Sequence, residues 1–124
     1  MNELALFVPC EVWTVNSERR MHHFARAAKV TPVRETAKLL ALNWARKNRT
    51  PTFAGPVYVE FTPVQKPGVL ADTANHLPPC KAVLDGIVDA GLIPDDRPEW
   101  VRWQTFMPPQ KDRNTGVNVR IAEL

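Results

Sequence analysis

The sequence predicts an α+β fold: a small mixed β-sheet with two main helices, in the order βαβαββ. Four short segments have the alternation or the β-branched and aromatic content of strands, and two longer segments carry apolar residues at helical spacing. Turn formers separate these segments, without an internal repeat or a linker. A chain of 124 residues has room for one domain, so we expect residues 1–124 to form a single domain.

The first part of the chain predicts a strand, an arm and a helix. ELALFVPCEVW is strand-like, and its proline indicates an edge or a bulge. TVNSERRMHHFARAAKV has no clean period, so we interpret it as a loop or arm. Thr31 and Pro32 are typical of a helix start, and the helix runs to about Asn48. Leu39 and Leu42 lie outside its apolar stripe, so we expect other parts of the protein to cover this helix on more than one side. The stripe consists of Ala37, Leu40, Ala41, Trp44 and Ala45.

The second part predicts a strand, a loop, a helix and two further strands. VYVEFTPV is the strand, and QKPGVLADTANHLPP is a loop rich in turn formers. Pro78 and Pro79 suit the first turn of a second helix, which Gly91 ends. EWVRWQTFMP and VNVRIAEL read as strands, with PQKDRNTG as the hairpin loop between them. The core stripe of the second helix is Val83, Leu84, Ile87 and Val88.

Charge is distributed unevenly along the chain. Residues 17–50 contain nine basic and two acidic residues, whereas residues 72–99 contain six acidic and two basic residues. A basic arm beside an acidic block is typical of a protein that holds a polyanion with one part and a metal ion with the other. The alternative is two differently charged, solvated faces.

Cysteine content and hydropathy exclude several classes of protein. Cys10 and Cys80 lack a CxxC spacing, so they predict neither a disulfide framework nor a zinc site, and we expect free thiols in a reducing compartment. The N-terminal segment is unlike a signal peptide, and no apolar run has the length of a membrane span. We therefore expect a cytoplasmic protein without membrane contact.

The acidic block has the composition of a phosphodiester-cleaving site. Carboxylates hold Mg²⁺, which activates water and neutralises phosphate charge, and a lysine adds a positive point charge. Asp72, Asp95 and Asp96, with Lys81 between them in the sequence, are the right residue types. The alternatives are turn chemistry at the aspartates and an i,i+4 surface ion pair between Lys81 and Asp85.

The segment KAVLDGIVDAGLIPDD, preceded by DTAN, resembles the RusA family of Holliday junction resolvases, in particular its phage-type members. That family has an acidic D-x-D-N or D-x-x-N segment, a K-A-x-x-D helix ending at A-G, and a D-D pair shortly after. An upstream segment with Asn16, Arg20, His22 and His23 resembles the family's N-x-R-x-H-W region. The resemblance covers about residues 13–103. Its matching positions in the acidic block are Asp72, Asn75, Lys81, Ala82, Asp85, Ala90, Gly91, Asp95 and Asp96.

The resemblance implies a homodimeric, Mg²⁺-dependent endonuclease that resolves four-way DNA junctions, with Mn²⁺ as a candidate substitute ion. It implies Asp72, Lys81 and Asp96 as catalytic residues and Asp72, Asp95 and Asp96 as metal ligands. Ala74 stands where some members carry a second aspartate, so the third ligand is left open between Asp85, Asn75 and water. The source would be a bacterial or phage-infected cell. DNA-binding residues would be Asn16, Arg19, Arg20, His22, His23, Arg26, Lys29, Arg34 and Lys38.

Two other functions compete with a nuclease. A non-catalytic module for branched or single-stranded nucleic acid would use the basic arm, with Trp13 and Phe24 as stacking groups. A small interaction protein would use the acidic block to dock a basic partner. The binding module has no use for Asp72, Asp95 and Asp96 close together, and failure to bind DNA at low salt would favour the interaction protein.

Overall fold

The structure, a computed structural model, describes residues 3–68 and 77–124. It confirms the α+β class with a mixed sheet, and it adds a short helix and a short strand to the predicted order. In chain order the elements are β1 (Glu3–Pro9), α1 (Val15–Arg19), α2 (His23–Lys47), β2 (Val57–Gln65), α3 (Leu77–Asp89), β3 (Val101–Phe106), β4 (Gln110–Lys111) and β5 (Gly116–Glu123).

The sheet has the strand order β1-β5-β2-β3. β5 pairs antiparallel with both β1 and β2, whereas β3 and the two-residue β4 pair parallel with β2. The predicted hairpin between the last two long strands is therefore wrong, because β2 lies between them. β5 has a neighbour on each side, so its inward residues Val117, Val119 and Ile121 are all buried.

α2 and α3 cover one face of the sheet, and one apolar cluster joins the three elements. The helices cross closely at Gly86 of α3, where a Cβ would stand 2.3 Å from the Arg34 carbonyl oxygen and 2.7 Å from the Ala37 Cβ. Only glycine allows this approach without a shift of the backbone. The crossing fixes α3, which carries Lys81, against the basic helix α2.

The segment interpreted as a loop or arm is largely helical. Thr14 caps α1 by accepting a hydrogen bond from the Ser17 backbone N–H at 3.0 Å. α2 begins at His23, so Pro32 lies inside the helix and the predicted start at Thr31 is wrong. Alanine, arginine and lysine favour the helix before the proline. Residues 24–28 are exposed, which is why they show no apolar period.

The apolar stripe predicted for α2 faces the core, whereas the two leucines outside the stripe do not. Ala37 and Ala41 are fully buried, while Leu39 is 67% and Leu42 is 42% exposed. A second covered side of this helix is therefore not found within the described part of one chain. α3 follows the prediction closely: Val83, Leu84 and Ile87 are buried. The other stripe members are partly buried: Leu40, Trp44, Ala45 and Val88.

Candidate active site

α3 and the loop after it bring the lysine of the acidic block to the aspartates. Pro78 and Pro79 lie in the first turn of α3, and Gly91 follows the helix with φ of +88°, a conformation that glycine adopts without strain. Leu92 and Ile93 are then buried in the core. This anchoring turns the loop back along α3.

The backbone of the loop is held from a second side. The Leu92 carbonyl oxygen accepts hydrogen bonds from the Phe53 N–H at 2.8 Å and from the Thr52 hydroxyl at 3.2 Å. Both donors belong to the segment between α2 and β2. The position of Asp96, four residues further along, is therefore set by buried contacts and by backbone hydrogen bonds.

Lys81 is the centre of the site. Its ammonium donates a hydrogen bond to Asp85 Oδ1 at 2.9 Å and another to Asp96 Oδ2. Asp85 lies one turn along α3, and Asp96 comes from the loop. Two carboxylates thus converge on one cation at a partly exposed position.

The electrostatics favour the charged forms of Lys81 and Asp96. Burial of the Lys81 ammonium acts to lower its pKa, but the hydrogen bonds to Asp96 and Asp85 outweigh it, so the pKa of Lys81 is raised. The hydrogen bond from Lys81 lowers the pKa of Asp96 below its ordinary value. At neutral pH Lys81 is therefore a positive charge and a hydrogen-bond donor, and Asp96 is an ionised carboxylate. Neither group is poised as a general acid or base.

Asp95 faces a different partner. Its Oδ1 accepts a hydrogen bond from the Asp96 backbone N–H at 2.7 Å, and its Oδ2 lies 3.0 Å from Arg97 Nε. Arg97 also pairs with Glu99 at 3.1 Å. The Asp95 side chain therefore stabilises the turn, as the alternative interpretation of the aspartates expected. The Asp96 carboxylate instead binds Lys81.

The predicted metal ligands are placed only in part. Asp72 lies outside the described residues, as do Ala74 and Asn75. Within residues 3–68 and 77–124, no three His, Cys, Asp or Glu side chains are grouped closely enough to hold a metal ion. The donors that do converge, the carboxylates of Asp85 and Asp96, are the oxygen ligands that Mg²⁺ prefers, so their chemistry fits that ion.

A pocket of about 500 Å³ adjoins Lys81 and Asp85. It lies between α1, α2, α3 and β3, and most of its surface is apolar. Sequence reasoning missed two of its polar residues, Glu18 and Gln104. In the sequence Glu18 is one of only two acidic residues in a basic stretch. No spacing in the sequence indicates that it lines the same pocket as Lys81. The apolar lining of the pocket consists of Val15, Val30, Leu77, Pro78, Ala82 and Phe106.

The predicted DNA-binding residues lie along α1, the turn after it and the first sixteen residues of α2. All are exposed except the half-buried Lys29. Two already have acidic partners: Lys29 binds Glu11 at 2.7 Å, and Arg34 binds Asp89 through two hydrogen bonds of 2.5 and 2.9 Å. In the described part of the chain the others form no salt bridge, although Lys38 interacts electrostatically with Asp89: Asn16, Arg19, Arg20, His22, His23, Arg26 and Lys38.

Three aromatic rings cluster at the start of α2. The ring centroids of His22 and His23 lie 4.1 Å apart, and that of Phe24 lies 4.2 Å from His23. The two adjacent histidine rings lie close together because the helix boundary falls between them. His22 has extended backbone and caps the helix, its Nδ1 accepting a hydrogen bond from the Phe24 N–H at 3.3 Å. Phe24 is 73% exposed.

A scan against protein-family models finds no family that matches the chain, and a search of curated proteins finds no significant match. Among the described residues, no helix combines the length and the apolar character needed to cross a membrane.

Proposed function

We propose that the protein is a Mg²⁺-dependent, structure-specific endodeoxyribonuclease that resolves four-way DNA junctions by paired symmetric nicks, as its resemblance to the RusA family implies. The observation that carries the proposal is the convergence of Asp85 and Asp96 on Lys81 beside a pocket and a basic helix. A solvated acidic loop gives no reason for this arrangement. An ion pair of i,i+4 type would use Asp85 alone.

Each residue has a defined task in this proposal. Asp72, Asp95 and Asp96 would hold the metal ion, and Asp85, Asn75 or water are the alternatives for the third ligand. Mg²⁺ bound there would neutralise charge on the phosphate and activate the attacking water. Lys81, protonated at neutral pH, donates a hydrogen bond to a phosphate oxygen. Mn²⁺, which also takes oxygen ligands, is the candidate substitute.

The basic face of α1 and α2 would hold the DNA backbone. Within the described ranges, seven of its nine proposed residues form no salt bridge, and of these only Lys38 has an acidic neighbour, Asp89. These side chains could therefore contact phosphates. Binding should weaken steeply with salt, because each phosphate contact releases counterions. Selectivity would come from junction shape rather than from groove edges.

A homodimer suits this substrate. A four-way junction has two-fold symmetry, so two sites related by a two-fold axis can make paired nicks. The enzyme would act in the cytoplasm of a bacterial or phage-infected cell, where recombining DNA is found.

The test is an end-labelled synthetic four-way junction incubated with wild type and Asp96→Asn, with and without Mg²⁺. We expect paired symmetric nicks by wild type in Mg²⁺ only. Asp96→Asn should bind the junction and lose at least about 100-fold in nicking rate. Glu99→Gln, a carboxylate-to-amide change in the same segment, is the matched control and should nick as wild type does. Normal nicking by Asp96→Asn would overturn the assignment.

A non-catalytic nucleic-acid binding module is the second candidate. The exposed rings of His22, His23 and Phe24 beside unpaired arginines favour it, since such rings stack on bases. Metal-independent binding by wild type, with no nick in any branched substrate, would support this function in place of the first.

A further inference from the structure

The pocket beside Lys81 is too large and too apolar to serve the phosphate alone. Its volume of about 500 Å³ lies in the range of small-molecule sites, which are mostly apolar with a few converging polar groups. Val30, Ala82 and Phe106 supply apolar wall, while Lys81 at the edge also touches the Asp96 carboxylate. Whatever occupies the pocket is therefore next to the proposed site of cleavage.

Glu18 is fixed in the pocket wall by a buried partner. The indole Nε1 of Trp13, a residue only 4% exposed, donates a hydrogen bond of 2.8 Å to Glu18 Oε2. Within the described ranges, Glu18 Oε1 accepts no hydrogen bond. One carboxylate oxygen is thus held, and no residue of the described ranges donates to the other.

The charges of the pocket select against an anion. Glu18 and Asp85 are both carboxylates, and of these two only Asp85 pairs with Lys81, which also binds Asp96. A phosphate inside would meet the uncompensated Glu18. A flat, neutral group with N–H donors would satisfy both the carboxylate and the apolar walls.

We propose that this pocket receives an unstacked nucleobase next to the scissile phosphate, and that Glu18 Oε1 accepts a hydrogen bond from the exocyclic amino group of that base. The inference rests on the proposed nuclease function and names the substrate class for it. Adenine, cytosine and guanine carry such an amino group. Thymine lacks it and would present carbonyl oxygens to the carboxylate.

A base reaches such a pocket only after it leaves the stack. Unstacking is least costly for a base that is unpaired or poorly paired. A branch point supplies such bases, whereas a continuous duplex does not. The pocket therefore gives a reason for selecting branched DNA in addition to its overall shape.

The test uses Glu18→Gln. The new amide can still accept from the Trp13 indole through its oxygen, while its NH₂ group replaces the free carboxylate oxygen by a donor. Nicking rates are measured in Mg²⁺ on junctions that differ only in the base on either side of the cut. We expect wild type to cut beside an amino-bearing base about tenfold faster than beside thymine. Glu18→Gln should remove or reverse that preference.

Controls separate this inference from the proposed function. Glu35→Gln, the same change at an exposed acid of α2, should keep the wild-type preference. If wild type nicks but Glu18→Gln has the same base preference, the inference fails and the nuclease stands. If wild type nicks nothing, both fall.

A second measurement does not depend on cleavage. A junction with 2-aminopurine at the cut position becomes brighter when that base unstacks. We expect a rise on binding of wild type without metal ion, and a smaller rise with Val15→Trp, which fills the pocket from α1. Binding of wild type without any rise would overturn the proposal.

Discussion

The Lys81 ammonium contacts the Asp96 carboxylate although the two residues are fifteen positions apart in the sequence. The helix α3 carries the chain away from Lys81, and the buried pair Leu92 and Ile93 brings it back. The contact therefore depends on core packing as well as on charge. A surface ion pair would not need such support.

Removal of the Lys81 charge should abolish activity and leave the fold intact. In Lys81→Met we expect nicking to fall by at least about 100-fold, because the positive group proposed to bind the reacting phosphate is lost. Stability should change little, since the lysine side chain is 56% exposed. Nicking assays and urea unfolding measure the two effects. Lys111→Met, at another exposed lysine, is the control and should be normal in both assays.

The ion pair should give a pH-dependent term in stability. The folded-state pKa of Asp96 is lowered, so its contribution is present above the unfolded pKa and is lost as pH falls through the folded value. The pKa of Lys81 is raised, so its contribution is present below 10.5 and is lost as pH rises through the folded value. The difference in unfolding free energy between wild type and Asp96→Asn, at most about 1 kcal/mol, should shrink as the pH falls from 6 to 3. A constant difference would contradict this account.

Gly86→Ala should destabilise the protein by about 3 kcal/mol. The new methyl group would stand 2.3 Å from the Arg34 carbonyl oxygen, so α2 and α3 must move apart. Chemical unfolding measures the loss. Gly55→Ala is the control, because nothing lies within 4 Å of its added Cβ. Equal stability of the two variants would show that the helices do not cross at Gly86.

Both thiols should be inert in the folded protein. Burial raises the pKa of Cys80 to about 12 and that of Cys10 to about 11, so neither forms thiolate at pH 8. We expect a thiol reagent to titrate no cysteine in native buffer and two in denaturant. Rapid native labelling of Cys80 would contradict its full burial.

Phe24→Ala should weaken junction binding by about 5- to 100-fold, the range of one lost base-stacking contact. Leu39→Ala removes an exposed apolar side chain from the same helix and is the control. Fluorescence anisotropy at fixed salt measures both. Equal binding by the two variants would mean that the ring cluster does not contact bases.

Local signals in the sequence were sufficient for α3 and insufficient for α2. Pro78, Pro79 and Gly91 mark the ends of α3 by their own backbone preferences, which packing did not override. The pair Thr31 and Pro32 has the same signature, yet it lies inside α2. The exposed turns before it bury no stripe, so periodicity could not reveal them.

In the candidate site, too, some contacts could be predicted from local sequence spacing and others could not. The contact between Lys81 and Asp85 follows from their i,i+4 spacing on a helix. The return of Asp96 depends on where the core holds Leu92, which no local pattern encodes. Glu18 reaches the pocket through an indole hydrogen bond from Trp13, a contact without a sequence signature.

The central position of β5 bears on how the protein is made. β1 and β2 have no common neighbour until residues 116–123 have left the ribosome, so the emerging chain carries two apolar strands with open edges. Lys81 and Asp96 are both synthesised before the strand that completes the sheet. We therefore expect ribosome-bound chains arrested before residue 116 to be sensitive to protease and to lack the proposed nuclease activity.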